Sequence, residues 1–262
     1  MLGISRIALF ALTIAVLVGA DLAAAAEQCP QPTSPIETDR PSTANSSIVV
    51  PFGSLQSENG INLSRQDTTE FFDGTNSRLR LGIAPCLEIL VDLPNYTGVF
   101  GGGAASGFGD VAPAVKWQIS PLPGKFDLSL VAGAALPTGA VAIAGPGVQP
   151  YLQFPWSVDL GHGWSIVGME TNSFMPSNQA VPYANQSTLA IETNVTERSF
   201  VFLEYVANFP TRGESSQLLN SGGGYRITDT QQIDFHIAFG LDRNAPAYIF
   251  GLGYSTRFDH LF

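Results

Sequence analysis

The residues in this chain whose types could do chemistry are three histidines, two cysteines and a set of charged side chains recurring two positions apart. His162 lies in the turn-like Gly161-His-Gly163, His236 in an alternating segment and His260 near the chain end. A lipid-cleaving Ser-His pair belongs at an outer, lipid-facing rim, and none of the three is expected there. Nor is there a Gly-x-Ser-x-Gly elbow, a His-Glu-x-x-His motif or a metal-ligand spacing of cysteines. The reading is therefore no catalytic residue, no metal site, no cofactor and no enzyme. His236, with Asp234 two positions away on the same face, is a hydrogen-bonding or pH-sensing residue on this reading.

The charged set offers electrostatics instead. Gln56 and Glu58, Arg78 and Arg80, and Glu88 and Asp92 each lie on one face of an extended segment, because side chains of a strand alternate. Lys116, Asp159, Glu192, Glu204, Asp234, His236 and Arg257 continue the same phase. Opposite charges on neighbouring strands stabilise by a few tenths to about 1 kcal/mol per pair. The set reads either as a structural ladder or as a surface that touches a solute. Acids outnumber bases in it, which favours cations or neutral solutes.

Such residues need strands that hold them on one face. In Ala247–Phe258, Tyr248, Phe250, Leu252, Tyr254, Thr256 and Phe258 share a greasy face, opposed by small residues and Arg257. Ile233, Phe235, Ile237 and Phe239 do the same against Gln232, Asp234, His236 and Ala238. About twelve such segments fall near 53–65, 77–84, 86–94, 107–120, 125–137, 148–160, 163–174, 186–196, 198–209, 216–227, 230–240 and 247–258. The greasy faces would be core in a soluble sandwich and would meet lipid in a membrane barrel. The connections favour the barrel: short at 84–85, 121–124, 161–163, 196–198 and 228–229, long at 66–76, 95–106, 138–147, 175–185, 210–215 and 241–246. Short turns on the periplasmic side and long loops outside are the rhythm of outer-membrane proteins. The expected fold is all-β, a transmembrane antiparallel up-and-down β-barrel over residues 53–262.

Composition agrees. Charged residues are 13%, the net charge is -10, and there are 27 Gly, 17 Phe and 7 Tyr. No basic patch could neutralise phosphates, which excludes nucleic acid as a partner. Residues 1–26 read as a signal peptide, with Arg6, an apolar run Ile7–Val18 and a small-residue site at Ala24-Ala25-Ala26. Export to the bacterial outer membrane is the expected localisation. Residues 27–52, rich in proline, read as a periplasmic segment: a plug in which Asp39 and Arg40 pair with the wall, or a loose tail leading into the first strand. Cys29 in that segment and Cys86 beside a short periplasmic turn share an oxidising compartment, so a disulfide is expected. Closing a loop of roughly 57 residues, it would contribute on the order of 4 kcal/mol in the chain-entropy model.

Thr38-Asp-Arg-Pro41, Val50-Pro-Phe-Gly-Ser-Leu-Gln-Ser-Glu-Asn-Gly60, Gly109-Asp110, Lys116, Ala135-Leu-Pro-Thr-Gly139 and Glu204 occur together in this order. In these motifs the chain resembles an outer-membrane transporter family labelled as a MetA-pathway phenol-degradation protein, over nearly the whole mature length. The resemblance implies a barrel with a role in moving small molecules, aromatic or other. The chain end is similar to the signal read by the barrel-assembly machinery, with Gly253 and Phe258 in place, Thr256 where an aromatic is usual, and four residues following.

The expected function is a passive channel or transporter for small, aromatic or hydrophobic molecules, with outer-membrane lipid, the barrel-assembly machinery and a small-molecule solute as partners. The alternative is a closed structural or surface-binding barrel that acts through its extracellular loops. Inward Tyr151, Phe200 and Phe202 are the residues that could fill the lumen.

Overall fold

The structure, a computed structural model, describes residues 29–101, 105–119, 125–145, 147–174 and 183–262. The expected signal peptide, the turn at 121–124 and most of the loop at 175–185 lie outside the described residues. The regular elements are all strands: β1 (Leu55–Gln66), β2 (Thr69–Ala84), β3 (Leu87–Asp92), β4 (Tyr96–Phe100), β5 (Gly107–Phe108), β6 (Ala112–Gln118), β7 (Phe126–Ala135), β8 (Gln149–Gly161), β9 (Trp164–Phe174), β10 (Tyr183–Thr196), β11 (Ser199–Pro210), β12 (Ser216–Thr228), β13 (Gln231–Gly240) and β14 (Tyr248–Phe258). Every strand pairs antiparallel with its neighbours, and β1 pairs with both β14 and β2, so the sheet closes on itself. Closure leaves no edge with unpaired backbone groups, the condition for crossing lipid with strands.

Twelve staves make the cylinder, because β3 and β4 continue one another alongside β2, and β5 and β6 form one interrupted stave. The alternation read from the sequence sets the two faces. Ile233, Phe235, Ile237 and Phe239, like Phe250, Leu252, Tyr254 and Phe258, are exposed on the outside. Gln56, Glu58, Arg80, Glu88, Lys116, Glu204 and Asp234 are buried inside.

The outer half of the second and third staves differs from expectation. Residues 66–76 are not a long loop: β2 starts at Thr69, and only Asp67 and Thr68 separate it from β1. The register shifts between Glu58 and Gly60, where Asn76 sits at φ 38° as an extra residue of β2. A bulge moves every later side chain to the other face. Glu58 therefore faces Arg78, yet Asn62 faces Asp73, and the change from even to odd numbers hid this half of the strand. The expected loop at 95–106 likewise begins with β4, leaving 101–106 as the connection.

The expected strand 107–120 is broken. Pairing of β3 with β6 ends at Asp92 and Ala112, and pairing of β4 with β5 resumes at Tyr96 and Phe108. Leu93-Pro94-Asn95 and Gly109-Asp110-Val111 lie between, joined by one bond from Gly109 N–H to the Asn95 carbonyl (2.7 Å). Pro94 has no N–H to donate, which is why the ladder stops here. Leu252, mid-strand on the outer face, tests the orientation. Leu252→Arg should cost about 2–4 kcal/mol in urea unfolding from lipid vesicles, and an unchanged midpoint would mean that this face does not meet lipid.

Candidate functional site

The interior is occupied by the chain's own segment 29–54, which touches the wall on nearly every side. Its backbone N–H groups at Asp39, Thr43, Ala44, Val49 and Val50 donate to side chains of β1, β11, β6 and β3, namely Glu58, Glu204, Gln118 and Glu88. Its carbonyls at Glu37, Ser47 and Ile48 accept from Gln56, Arg80, Ser129 and Lys116. A segment without secondary structure inside a barrel must find partners for its backbone elsewhere, and the inward polar residues supply them. Ile36, Ala44, Val49 and Val50 are buried as it passes. Where it enters, Cys29 and Cys86 are joined by a disulfide with Cα atoms 5.3 Å apart.

Asp39 is the centre of the charge network. Its carboxylate meets Arg78 Nη1 at 2.9 Å, Arg80 Nη1 at 3.4 Å and Lys116 Nζ at 3.3 Å, and accepts the Ser46 N–H at 3.0 Å. Arg80 also holds Glu58 (2.9 Å) and Glu88 (3.0 Å), and Arg78 makes a two-bond fork with Asp92. The sequence suggested pairs between adjacent strands. What forms is a single cluster in which a residue of the inserted segment is shared by β2 and β6.

The other sequence-selected residues distribute around the lumen. Arg40 Nη2 donates to Asp234 Oδ1 (3.2 Å), and Glu204 also accepts from Asn220 Nδ2 (2.9 Å). Arg257 donates to the carbonyls of Pro32 and Ser34 and to Asp259. His236 lies between Asn220 and Asn62, while His162 is in the β8–β9 turn and His260 in the tail. Asp159 is at the rim, paired with Lys125 Nζ at 2.9 Å, and Glu192 faces a lower cavity. Tyr151 packs on a small apolar cluster of Leu90, Ala114 and Val131, Phe202 is buried, and Phe200 borders the lower cavity.

Sequence reasoning missed the neutral wall residues Gln118, Ser129, Gln153 and Gln232, which bond the segment at Val49, Ser47, Asn45 and Thr38. Their inward phase was visible, but nothing in a lone amide announces its partner. It also gave Gly60 no role beyond its place in a family motif, and Gly253 none beyond the chain-end signal. These are register partners on β1 and β14, and a Cβ on either would lie within 2.5 Å of the Arg40 guanidinium group. Only glycine lets that group lie flat on the wall.

Among the described residues a space of about 370 Å³ lies at the segment's entry, beside Cys29, Pro30, Gln118 and Arg257, and three others bear on passage. An outer cavity of about 450 Å³ lies among Arg40, Asn45, Arg78, Asp92 and Asn95; an inner one of about 310 Å³ lies among Glu37, Ser157, Glu192 and Arg226. The third, about 640 Å³ and open, sits at the break in the wall against Leu93, Pro94, Phe108 and Ala140, and shares Ser77, Leu93 and Gly109 with the outer cavity.

A closed antiparallel cylinder of twelve staves, apolar outside and filled by its own N-terminal segment, is a barrel of the outer-membrane type. The chain belongs to the family described as "Putative MetA-pathway of phenol degradation", whose model matches residues 38–258. Among solved structures it is similar to an outer membrane channel from Pseudomonas putida F1, at 13% identity and TM-score 0.65 over 80% of this chain and 97% of that one. It is similar also to the NanC porin (7% identity, TM-score 0.56, 77% and 98% covered) and to the KdgM porin in complex with disordered oligogalacturonate (7%, 0.52, 78% and 99%). Likeness at these identities concerns the fold. A comparison with curated proteins gives no match.

Asp39→Ala or Asp39→Asn removes the carboxylate that Arg78, Arg80 and Lys116 share and leaves Lys116 only the Glu88 carboxylate at 3.7 Å, and removing one partner of a buried pair costs about 3–5 kcal/mol. Urea unfolding in micelles should show that loss, whereas Arg243→Ala, which removes an exposed pair with Glu214, should change stability by less than about 1 kcal/mol. Equal effects would deny the cluster its structural weight.

Below the barrel, burial pushes the Asp259 carboxyl up, but hydrogen bonds from Arg257 and Ser54 outweigh it and hold it below the usual carboxylate range. A lowered value means the clasp is whole above the ordinary carboxylate pKa and is lost as pH falls through the lowered one. The amide of Leu261, bonded to the Gly53 carbonyl, should keep its folded NMR shift from neutral pH to about pH 4 and lose it only in stronger acid, and in Asp259→Asn it should be lost at neutral pH. A shift that does not change between neutral pH and strong acid would refute the clasp.

Proposed function

We propose that this protein sits in the bacterial outer membrane as a passive channel for small uncharged molecules, aromatic or otherwise apolar, and that these cross at the break in its wall. The break carries the reading. Its cavity is lined by Leu93, Pro94, Phe108 and Ala140 and by no charged side chain, and it adjoins the outer cavity inside the barrel. An apolar solute gains about 25 cal/mol for each Å² withdrawn from water, so a passage to lipid through an uncharged gap runs downhill. The axial route offers the same solute a column of buried charges.

A cover lies over the break. The Asp110 carboxylate accepts N–H bonds from Thr138 and Gly139 (3.0 Å each) and from Gly145 (2.9 Å), and Ala140 N–H donates to the Phe108 carbonyl (2.8 Å). A Cβ on Gly139 would lie 2.6 Å from the Gly109 and Phe108 backbone, so glycine permits the close approach. One carboxylate thus holds the loop that covers the gap, an arrangement suited to opening.

The test is naphthalene uptake by cells whose outer membrane lacks its major porins. Expression of the protein should raise the rate, Leu93→Trp, which fills the break, should lower it several-fold, and Asp110→Ala, which releases the cover, should raise it. Uptake no faster than in the empty strain, or equal for the folded Leu93→Trp variant, would overturn the reading.

A further inference from the structure

The outer and inner cavities are bordered in common by two residues, Arg40 and Ser42. Ser42 is held by its own segment, its hydroxyl donating to the Ala44 carbonyl at 2.8 Å. Arg40 is held by the wall: its guanidinium lies over Gly60 and Gly253, bonded to Asp234 Oδ1 and to the Leu252 carbonyl at 3.3 Å. We propose that Arg40 is a side-chain gate between the two cavities, and that its movement off this glycine floor opens an axial path for small hydrated cations while the rest of the inserted segment stays in place.

Comparison of the attachments supports this division. Withdrawing the segment would break the Asp39 cluster, both N–H bonds to Glu204, the bonds to Gln118 and Glu88, and the hold of Arg257 on Pro32 and Ser34. Moving Arg40 alone breaks one ion pair and one carbonyl bond. That pair is also incompletely satisfied: Arg40 Nε and Asp234 Oδ2 are buried without a hydrogen-bond partner. Unmade bonds on buried polar groups lower the cost of letting the pair part. The floor beneath has no side chains, so departure of the guanidinium leaves a gap rather than a new obstruction.

The exposed lining explains the ion class. With Arg40 displaced, Asp234 loses its cation at the neck, and acids outnumber bases on both sides of it: Asp39, Glu58, Asp92 and Asp110 against Arg78 in the outer cavity, and Glu37, Asp127, Asp159 and Glu192 against Arg198 and Arg226 in the inner one. Charged groups at a constriction select ions of opposite sign. This axial path shares the outer cavity with the lateral one and parts from it at Arg40, which borders the inner cavity but not the break in the wall.

Planar-bilayer recording of the refolded, disulfide-intact chain tests the gate, with reversal potentials measured in a potassium chloride gradient. Arg40→Ala should raise unitary conductance several-fold and move the reversal potential towards potassium. Asp234→Asn, which leaves the cation without its partner, should move it towards chloride. Gly253→Ala displaces the guanidinium without removing it and should raise conductance; it carries the test should Arg40→Ala fail to refold. General loosening of the segment would move the Arg40 and Asp234 variants in the same direction, so a shared direction overturns the proposal, as does wild-type conductance in folded Arg40→Ala and Gly253→Ala. Naphthalene uptake reads the other route: its failure alongside a normal Arg40 response removes the lateral reading and leaves the gate standing.

Discussion

The structure depends on one carboxylate placed inside a cylinder. Asp39 belongs to a segment with no hydrogen-bonded partner strand of its own, yet it sits among Arg78, Arg80 and Lys116. Burying three cations is tolerable only where carboxylates surround them, and β1 supplies Glu58 and β3 supplies Glu88 and Asp92 from their inward faces. The segment and the wall are thus each incomplete electrostatically without the other. The same cations take the Glu37 and Ile48 carbonyls, so the cluster also satisfies backbone that would otherwise be stranded away from water.

On the proposed readings, this arrangement gives apolar solutes and cations different ways out of one outer cavity. The charged column at β1–β3 and β6 is rigid and filled. The outer cavity beside it has weaker boundaries: on one side the interrupted ladder around Pro94, on the other the Arg40 side chain. Both weak points adjoin the strand register that shifts at Asn76, where the ladder cannot run straight. Bulges and interruptions of this kind let a continuous hydrogen-bonded wall carry openings without losing closure.

The barrel was legible because its signal is local. Alternation such as Ile233-Phe235-Ile237 needs no knowledge of partners, and the faces found match it. The strand outer halves were not legible where the phase changes: Phe71 and Asp73 follow the opposite parity from Arg78 and Arg80, so a constant period of two ends at Ser77. The interruption at Leu93-Pro94-Asn95 contained its cue in the proline, and the expected third segment ends there, at residue 94; the return of the chain to the wall as β4 from Tyr96 was not legible. Within the site, the charged residues could be assigned to one face, whereas their convergence on Asp39 depends on three-dimensional closure that no spacing encodes. Asp110 and Gly139 were visible as parts of motifs, and only the loop's return onto Phe108 gave them a shared purpose.

The placement of Arg40 has a consequence for how the molecule is made. Gly60 lies on the first stave and Gly253 on the last, and they face one another across the seam where the two ends of the sheet meet. Asp234, on the stave before, lies 194 residues along the chain from Arg40, and the carbonyl of Pro32 reaches Arg257 across 225. The docking place of the inserted segment therefore exists only after the last strand has joined the first. Contacts so distant in sequence are slow to form, and the segment must wait, tethered at Cys86, for the cylinder around it to be finished.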